Sequence, residues 1–217
     1  MRGLMEKDIR LTLTRKQTLL IFFVMALIMG ISMDGSFLIG YLTMLATIIS
    51  IGTISYDEYD NGLAFLMTLP FERKTYVREK YVFTFLMACG AWCIGALVDC
   101  AGCLIRHDPL HLASDLPMLL SILPVMFLSA AIMIPLQLKY GAEKSRTVLF
   151  IIFGVIAVII LGSQSVLHGT ANPFSSIAAG LDSLPSALIF TAITAVCALL
   201  SFISYLWCVR IMEKKEF

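Results

Sequence analysis

Few residues in this chain have the type and setting to do chemistry. Asp99 is the one ionisable side chain well inside an apolar run, VFTFLMACGAWCIGALVDCAGCLI. A charge in hydrocarbon is costly, which makes such a residue a functional candidate. Counted from Tyr81 it stands about 27 Å along a helix, near the far boundary of a bilayer. Ala88, Ala91, Gly95 and Gly102 share its face at three- and four-residue steps, the pattern of a close helix contact. Two readings stay open for Asp99: a polar packing contact, or a residue at the outer end of a substrate path. A second small or polar stripe, Thr191, Thr194, Ala195, Ala198 and Ser201, admits the same pair, with Thr191 and Thr194 as the path residues.

Cys100 and Cys103 form a C-x-x-C, the spacing of thiol-disulfide chemistry. All six cysteines lie in apolar runs, so the competing reading is inert packing, and no thioredoxin-like strand pattern accompanies the pair. His107 and His111 flank Asp108 at metal-ligand spacing, but Pro109 interrupts any helix that would align them, which favours a solvated loop. No G-x-x-x-x-G-K-[ST] occurs, and Gly141-Ala-Glu-Lys144-Ser lacks both the first glycine and the loop spacing. H-E-x-x-H, G-x-S-x-G and paired intramembrane carboxylates are also missing. The expectation is a chain that is not an enzyme, holds no cofactor or metal, and draws its energy from elsewhere.

The elements that must position these residues are membrane helices. Of 217 residues 59% are apolar and 14% charged, far from the average soluble domain. Net charge is +1, which gives no footprint for nucleic acid. Six apolar segments, at 17–33, 35–55, 81–105, 117–138, 147–167 and 185–208, each have about the length a helix needs to cross a core of about 30 Å. Pro124 and Pro135 predict a kinked or broken fourth span. Residues 1–16 place Met1, Met5, Ile9 and Leu13 at four-residue intervals among five basic residues, an amphipathic helix lying flat on an anionic surface. The run after it has no small-residue cleavage pattern and reads as a retained span. Asn172-Pro173 with Phe174, Ile177, Ala178 and Leu181 predicts a small interfacial helix before the sixth span. Fifteen of the sixteen Lys and Arg fall in the N-terminal segment, the 56–81 insert, the 139–146 loop and the tail. Only Arg106 falls on the other side, which predicts cytoplasmic termini and a cytoplasmic insert.

The insert, YDEYDNGLAFLMTLPFERKTYVREKY, is too charged for hydrocarbon. Leu63, Leu66 and Leu69 with Phe65 make a short apolar stripe, Asn61 can cap its start, and Pro70 stops it. A helix of two or three turns is marginal alone and needs a surface to pack on, either lipid or a soluble partner.

A basic amphipathic entry helix, two spans, then Asp57-Glu58 followed by Leu69-Pro70, Arg73-Lys74, Tyr76-Val77 and Lys80-Tyr81, then four more spans, resembles the permease subunits of ABC-2 type exporters. It looks most like the small bacterial branch that includes the phenol-soluble modulin and other antimicrobial-peptide export permeases. The resemblance spans residues 1–217 as one all-α integral membrane domain of six transmembrane helices. It implies an N-terminal connecting helix at 1–16 and a cytoplasmic coupling helix within 56–81, at about Asn61–Leu69. It also implies two cytosolic ATPase subunits carrying ATP and Mg, a second permease, identical or related, and a multi-pass plasma-membrane location. Phe65, Leu66 and Leu69 would anchor the coupling helix in the ATPase, with Asp57, Glu58, Asp60, Asn61 and Arg73 around them. The segment between the fifth and sixth spans is short and lacks the disulfide-bearing loops of larger eukaryotic relatives, which argues against a sterol role and leaves a peptide, drug or lipid-like substrate open, with a hydrophobic or amphipathic peptide as the leading expectation. A membrane thiol-redox protein and a non-transporting immunity or sensing subunit are the alternatives.

Overall fold

The computed structural model describes residues 1–14, 16–32, 35–59, 62–106, 112–166 and 186–215. Among them stand seven helices and no strand: α1 (Arg2–Thr14), α2 (Lys16–Ser32), α3 (Gly35–Glu58), α4 (Gly62–Met67), α5 (Arg73–Arg106), α6 (Leu112–Val166) and α7 (Ser186–Lys214). The histidine loop at 107–111 and the helix expected after Asn172 lie outside the described residues. Four stretches are long and apolar enough to cross a membrane: Gly35–Glu58, Arg73–Leu104, Leu119–Ala142 and Phe190–Lys214. The pair α1 and α2, bent by 70° between them, makes a fifth if counted as one. Alone, the 17 residues of α2 rise about 26 Å, just short of a 30 Å core.

At 55 residues α6 would extend about 80 Å if straight, more than twice a hydrocarbon core. Its one non-helical residue is Gly141, at φ 78° and ψ 169°. That φ is one L side chains rarely adopt, so glycine is the residue that can end one span and begin the next here. The backbone stays helical at Pro124 and Pro135, so the fourth span is not broken there, and the interruption falls at Gly141, inside the connection expected at 139–146. Pro135 strips the carbonyl of Ala131 of its usual partner, four residues back. The Ser204 hydroxyl of α7 donates to that carbonyl in its place. The Tyr81 hydroxyl of α5 in turn lies 2.7 Å from Ser204 Oγ. A proline that would weaken an isolated helix thus becomes a point where three helices are tied together.

The apolar core gathers at one end of the bundle. Ile51 and Ile54 of α3, Leu63 of α4, Tyr76 and Val77 of α5, Ile134 and Leu138 of α6, and Cys208 and Met212 of α7 pack together there. This is the end where the 56–81 insert and the tail meet. Elsewhere the helices present large apolar side chains outward, Phe150, Val158, Leu199 and Phe202 among them, as a lipid-facing surface requires. α3 and α5 make the closest pair. The stripe on α5 is why: Ala88 is fully buried, and a Cβ built on Gly95 would sit 3.1 Å from the Ile39 backbone of α3.

Candidate functional site

The insert folds as α4, a single short helix held on the basic end of the bundle. It covers Gly62–Met67 and not the longer Asn61–Leu69 expected; Asp60 and Asn61 lie outside the described residues. The difference arises at its end, where Thr68 N and Leu69 N bond back three residues to the carbonyls of Phe65 and Leu66. Those tighter turns close the helix before Pro70. Leu63, 5% exposed, fixes α4 to the core, and Leu66 packs beside it. The opposite side is bare and apolar. Phe65 is 69% exposed and Tyr59 75%, and Leu69 is exposed with them.

Asp57, Glu58 and Arg73, expected around a docking surface, turn inward instead. Asp57 closes a buried ionic network between α1, α3 and α5. Lys80 Nζ stands 2.5 Å from Asp8 Oδ2 and 2.8 Å from Asp57 Oδ2. It also donates to Thr53 Oγ1 at 3.0 Å, and lies 5.3 Å from the centre of the Tyr76 ring. Lys7 Nζ reaches Asp57 Oδ1 at 2.5 Å and Asp8 Oδ1 at 3.1 Å, while the Tyr76 hydroxyl donates to Asp57 Oδ2 at 2.9 Å. Two ammonium groups thus face two carboxylates. Asp8 is fully buried and Lys80 1% exposed, so each charge depends on the others for the solvation it has lost. At Lys7 burial pushes the pKa down, but the hydrogen bond and charge of Asp57, helped by Asp8, outweigh it and hold the ammonium above its ordinary range.

Glu58 and Arg73 tie the two ends of the insert to other helices. Glu58 Oε2 accepts from the backbone N–H of Ala142, directly after the Gly141 break, at 2.9 Å. Its other oxygen lies 3.2 Å from Lys215 Nζ, which also donates to the carbonyl of Leu138 at 3.0 Å. The Arg73 guanidinium donates to the carbonyls of Met212, Glu213 and Lys215 at 2.9–3.0 Å. Those are orphan acceptors at the C-terminus of α7, where the helix dipole also favours a cation. The two ends of the insert that flank α4 are thus held to α1, to the Gly141 break and to the end of α7.

Asp99 lies against the first residue of α3: a Cβ built on Gly35 would overlap its carboxylate. A carboxylate at a helix N-terminus is well placed both for orphan N–H groups and for the dipole. Thr194 lines a cavity between α5, α6 and α7, with its own hydroxyl bonded back to the Phe190 carbonyl at 2.8 Å. Asp99 and Thr191 do not line that cavity, so the three path candidates are not brought together. Cys100 and Cys103 lie one turn apart near the end of α5.

Lys7, Asp8 and Thr53 were not singled out by sequence reasoning, and Tyr76 and Lys80 entered it only as part of the motif that carries the resemblance, with no role in an ionic network. Their signal was present as spacing: Leu4, Asp8 and Thr12 form the buried row of α1, one position out of step with the exposed Met1, Ile9 and Leu13. Tyr76, Lys80 and Thr84 repeat that four-residue step on α5.

Residues 3–213 match the family model described as ABC-2 family transporter protein. The chain belongs to the ABC-2 transporter family. It is the membrane component of an ABC transporter, a multi-pass permease and not itself the catalyst. No curated protein and no solved structure matches it. The bare face of α4 points away from the bundle, and the ties behind it join α1, α3, α5 and the Gly141 break of α6.

Proposed function

We propose that this chain is a six-span half-transporter that exports hydrophobic or amphipathic molecules, peptides first, as the phenol-soluble modulin exporters do. Both termini and the insert lie in the cytoplasm. Two permeases, identical or related, associate with two cytosolic ATPases that bind ATP and Mg. The apolar face of α4 seats in a groove of the ATPase, and closure of the nucleotide-binding subunits rocks the spans. α1 is the connecting helix, its Met1–Ile9–Leu13 row against the membrane surface. Asp99, Thr191 and Thr194 stay as path candidates, Asp99 with the packing role its place at Gly35 supports.

One observation carries the reading: a bare aromatic and aliphatic face on a helix whose other side is pinned to the bundle, in a permease without a phosphate-binding loop. The decisive variant is Phe65→Asp. Phe65 supports nothing inside the chain, so insertion and thermal stability should stay as in the parent. Co-purification with the ATPase and transport should fall at least about tenfold, the loss expected on removing an interface anchor. A Phe65→Asp permease that still recruits its ATPase and still exports would refute the assignment.

A further inference from the structure

The cavity that Thr194 lines has a volume of about 560 Å³ and lies between α5, α6 and α7. Along α6 its wall runs from Leu120 to Ile134, which is about 21 Å of helix. Along α7 it runs from Phe190 to Ser201, about 16 Å. Its middle is built from Phe85, Leu123, Pro124, Phe127 and Ala198. Phe85 and Phe127 stack at 4.8 Å between centroids and form one side. Polar groups collect at the end nearer the buried ionic network, where Tyr81, Thr84 and Ser201 reach the wall. There the Ser201 hydroxyl is buried and makes no hydrogen bond.

Size decides what fits. A helix segment 21 Å long and about 10 Å across would occupy roughly 1,600 Å³, three times the space present. A single alkyl chain of that length, about 5 Å across at van der Waals contact, needs roughly 400 Å³. One leaflet of a bilayer is about 15 Å of hydrocarbon, close to the length of the cavity. The cavity lies within stretches apolar enough to be surrounded by lipid tails.

We propose that the α5–α6–α7 cavity is a binding site for one acyl chain of a bilayer phospholipid. The chain lies along Phe127 and Leu123 toward Leu120. The occupied cavity turns a gap between three helices into a packed contact, so lipid composition becomes a control on how α6 and α7 move together. This rests on the fold and not on the substrate or docking assignments.

The test reconstitutes the full chain in phosphatidylcholine nanodiscs carrying a trace of phosphatidylcholine with a photoactivatable diazirine on one acyl chain. Adducts are mapped by mass spectrometry. Adducts should concentrate at residues 82–85, 120–127 and 194–198, and Thr194→Phe, which fills the cavity, should remove most of them. Adducts at Leu199 and Phe202, outside the cavity, should be unchanged, which also shows that the variant is folded and inserted. Adducts spread evenly over all lipid-facing helices, adducts indifferent to Thr194→Phe, or cross-links from Cys197 to a second copy in place of lipid would each overturn the proposal.

Discussion

Lys80 carries more of this structure than its place in a charge run suggests. It is a cation with almost no access to water, held by Asp8, Asp57, Thr53 and the face of Tyr76. Removing one partner of such a group leaves the other charge buried and unpaired, at a cost of about 3–5 kcal/mol. Lys80→Met should therefore lower the thermal stability of the purified permease sharply. Adding Asp8→Asn to it should restore part of the loss, because the second change removes the stranded carboxylate. A double variant less stable than Lys80→Met alone would show that the two residues do not act as a pair. Glu79 is the opposite case. It too is buried, and neither carboxylate oxygen has a hydrogen-bond partner. An uncompensated carboxylate is a liability in the isolated chain. Glu79→Gln should raise the melting temperature near neutral pH, as a thermal melt in detergent can show. A fall would mean that the charged form of Glu79 is what the network needs.

Between helices, the tightest fit is the one that seats Asp99 over the start of α3. Gly35→Ala should push α3 and α5 apart and reduce the yield of folded protein. The same change in an Asp99→Ala background should be tolerated, since the carboxylate that the methyl group would strike is gone. Equal damage in both backgrounds would dissociate the two residues. This contact shows what could be read from the chain beforehand. The small residues on α5 announced a close neighbour by their spacing alone, and α3 is that neighbour. Helix existence was legible because long apolar runs leave few alternatives in lipid. Helix ends were less so. α5 begins at Arg73, eight residues before the apolar run at Tyr81, because its first turns are buried by protein and not by hydrocarbon. The prolines misled for a related reason: Ser204, far away in sequence, satisfies the carbonyl that Pro135 strands. The inward turn of Asp57 and Glu58 had no local signal. Their partners lie at Lys7, Lys80, Ala142 and Lys215, and charge patterning does not report tertiary distance.

For the molecule as a whole, the ties converge on the end that carries the insert. α1, α3, α5, the Gly141 break and the close of α7 all meet behind α4. On the six-span reading proposed above, that entire end faces the cytoplasm. Single cysteines placed at Tyr59 and at Phe217 should then be modified by a membrane-impermeant maleimide only after cells are opened. One placed at His107 should react in intact cells. Labelling of Tyr59→Cys in intact cells would invert the topology and remove the ATPase from reach of α4. The network also has a history within each newly made chain. Asp8 emerges from the ribosome first, and its cation Lys80 comes seventy-two residues later. During synthesis Asp8 has only the neighbouring Lys7 for a cation, so its final buried seat against the bundle forms only after α5 has begun to insert. Assembly of the basic end is therefore ordered in time by the distance along the chain between two charges.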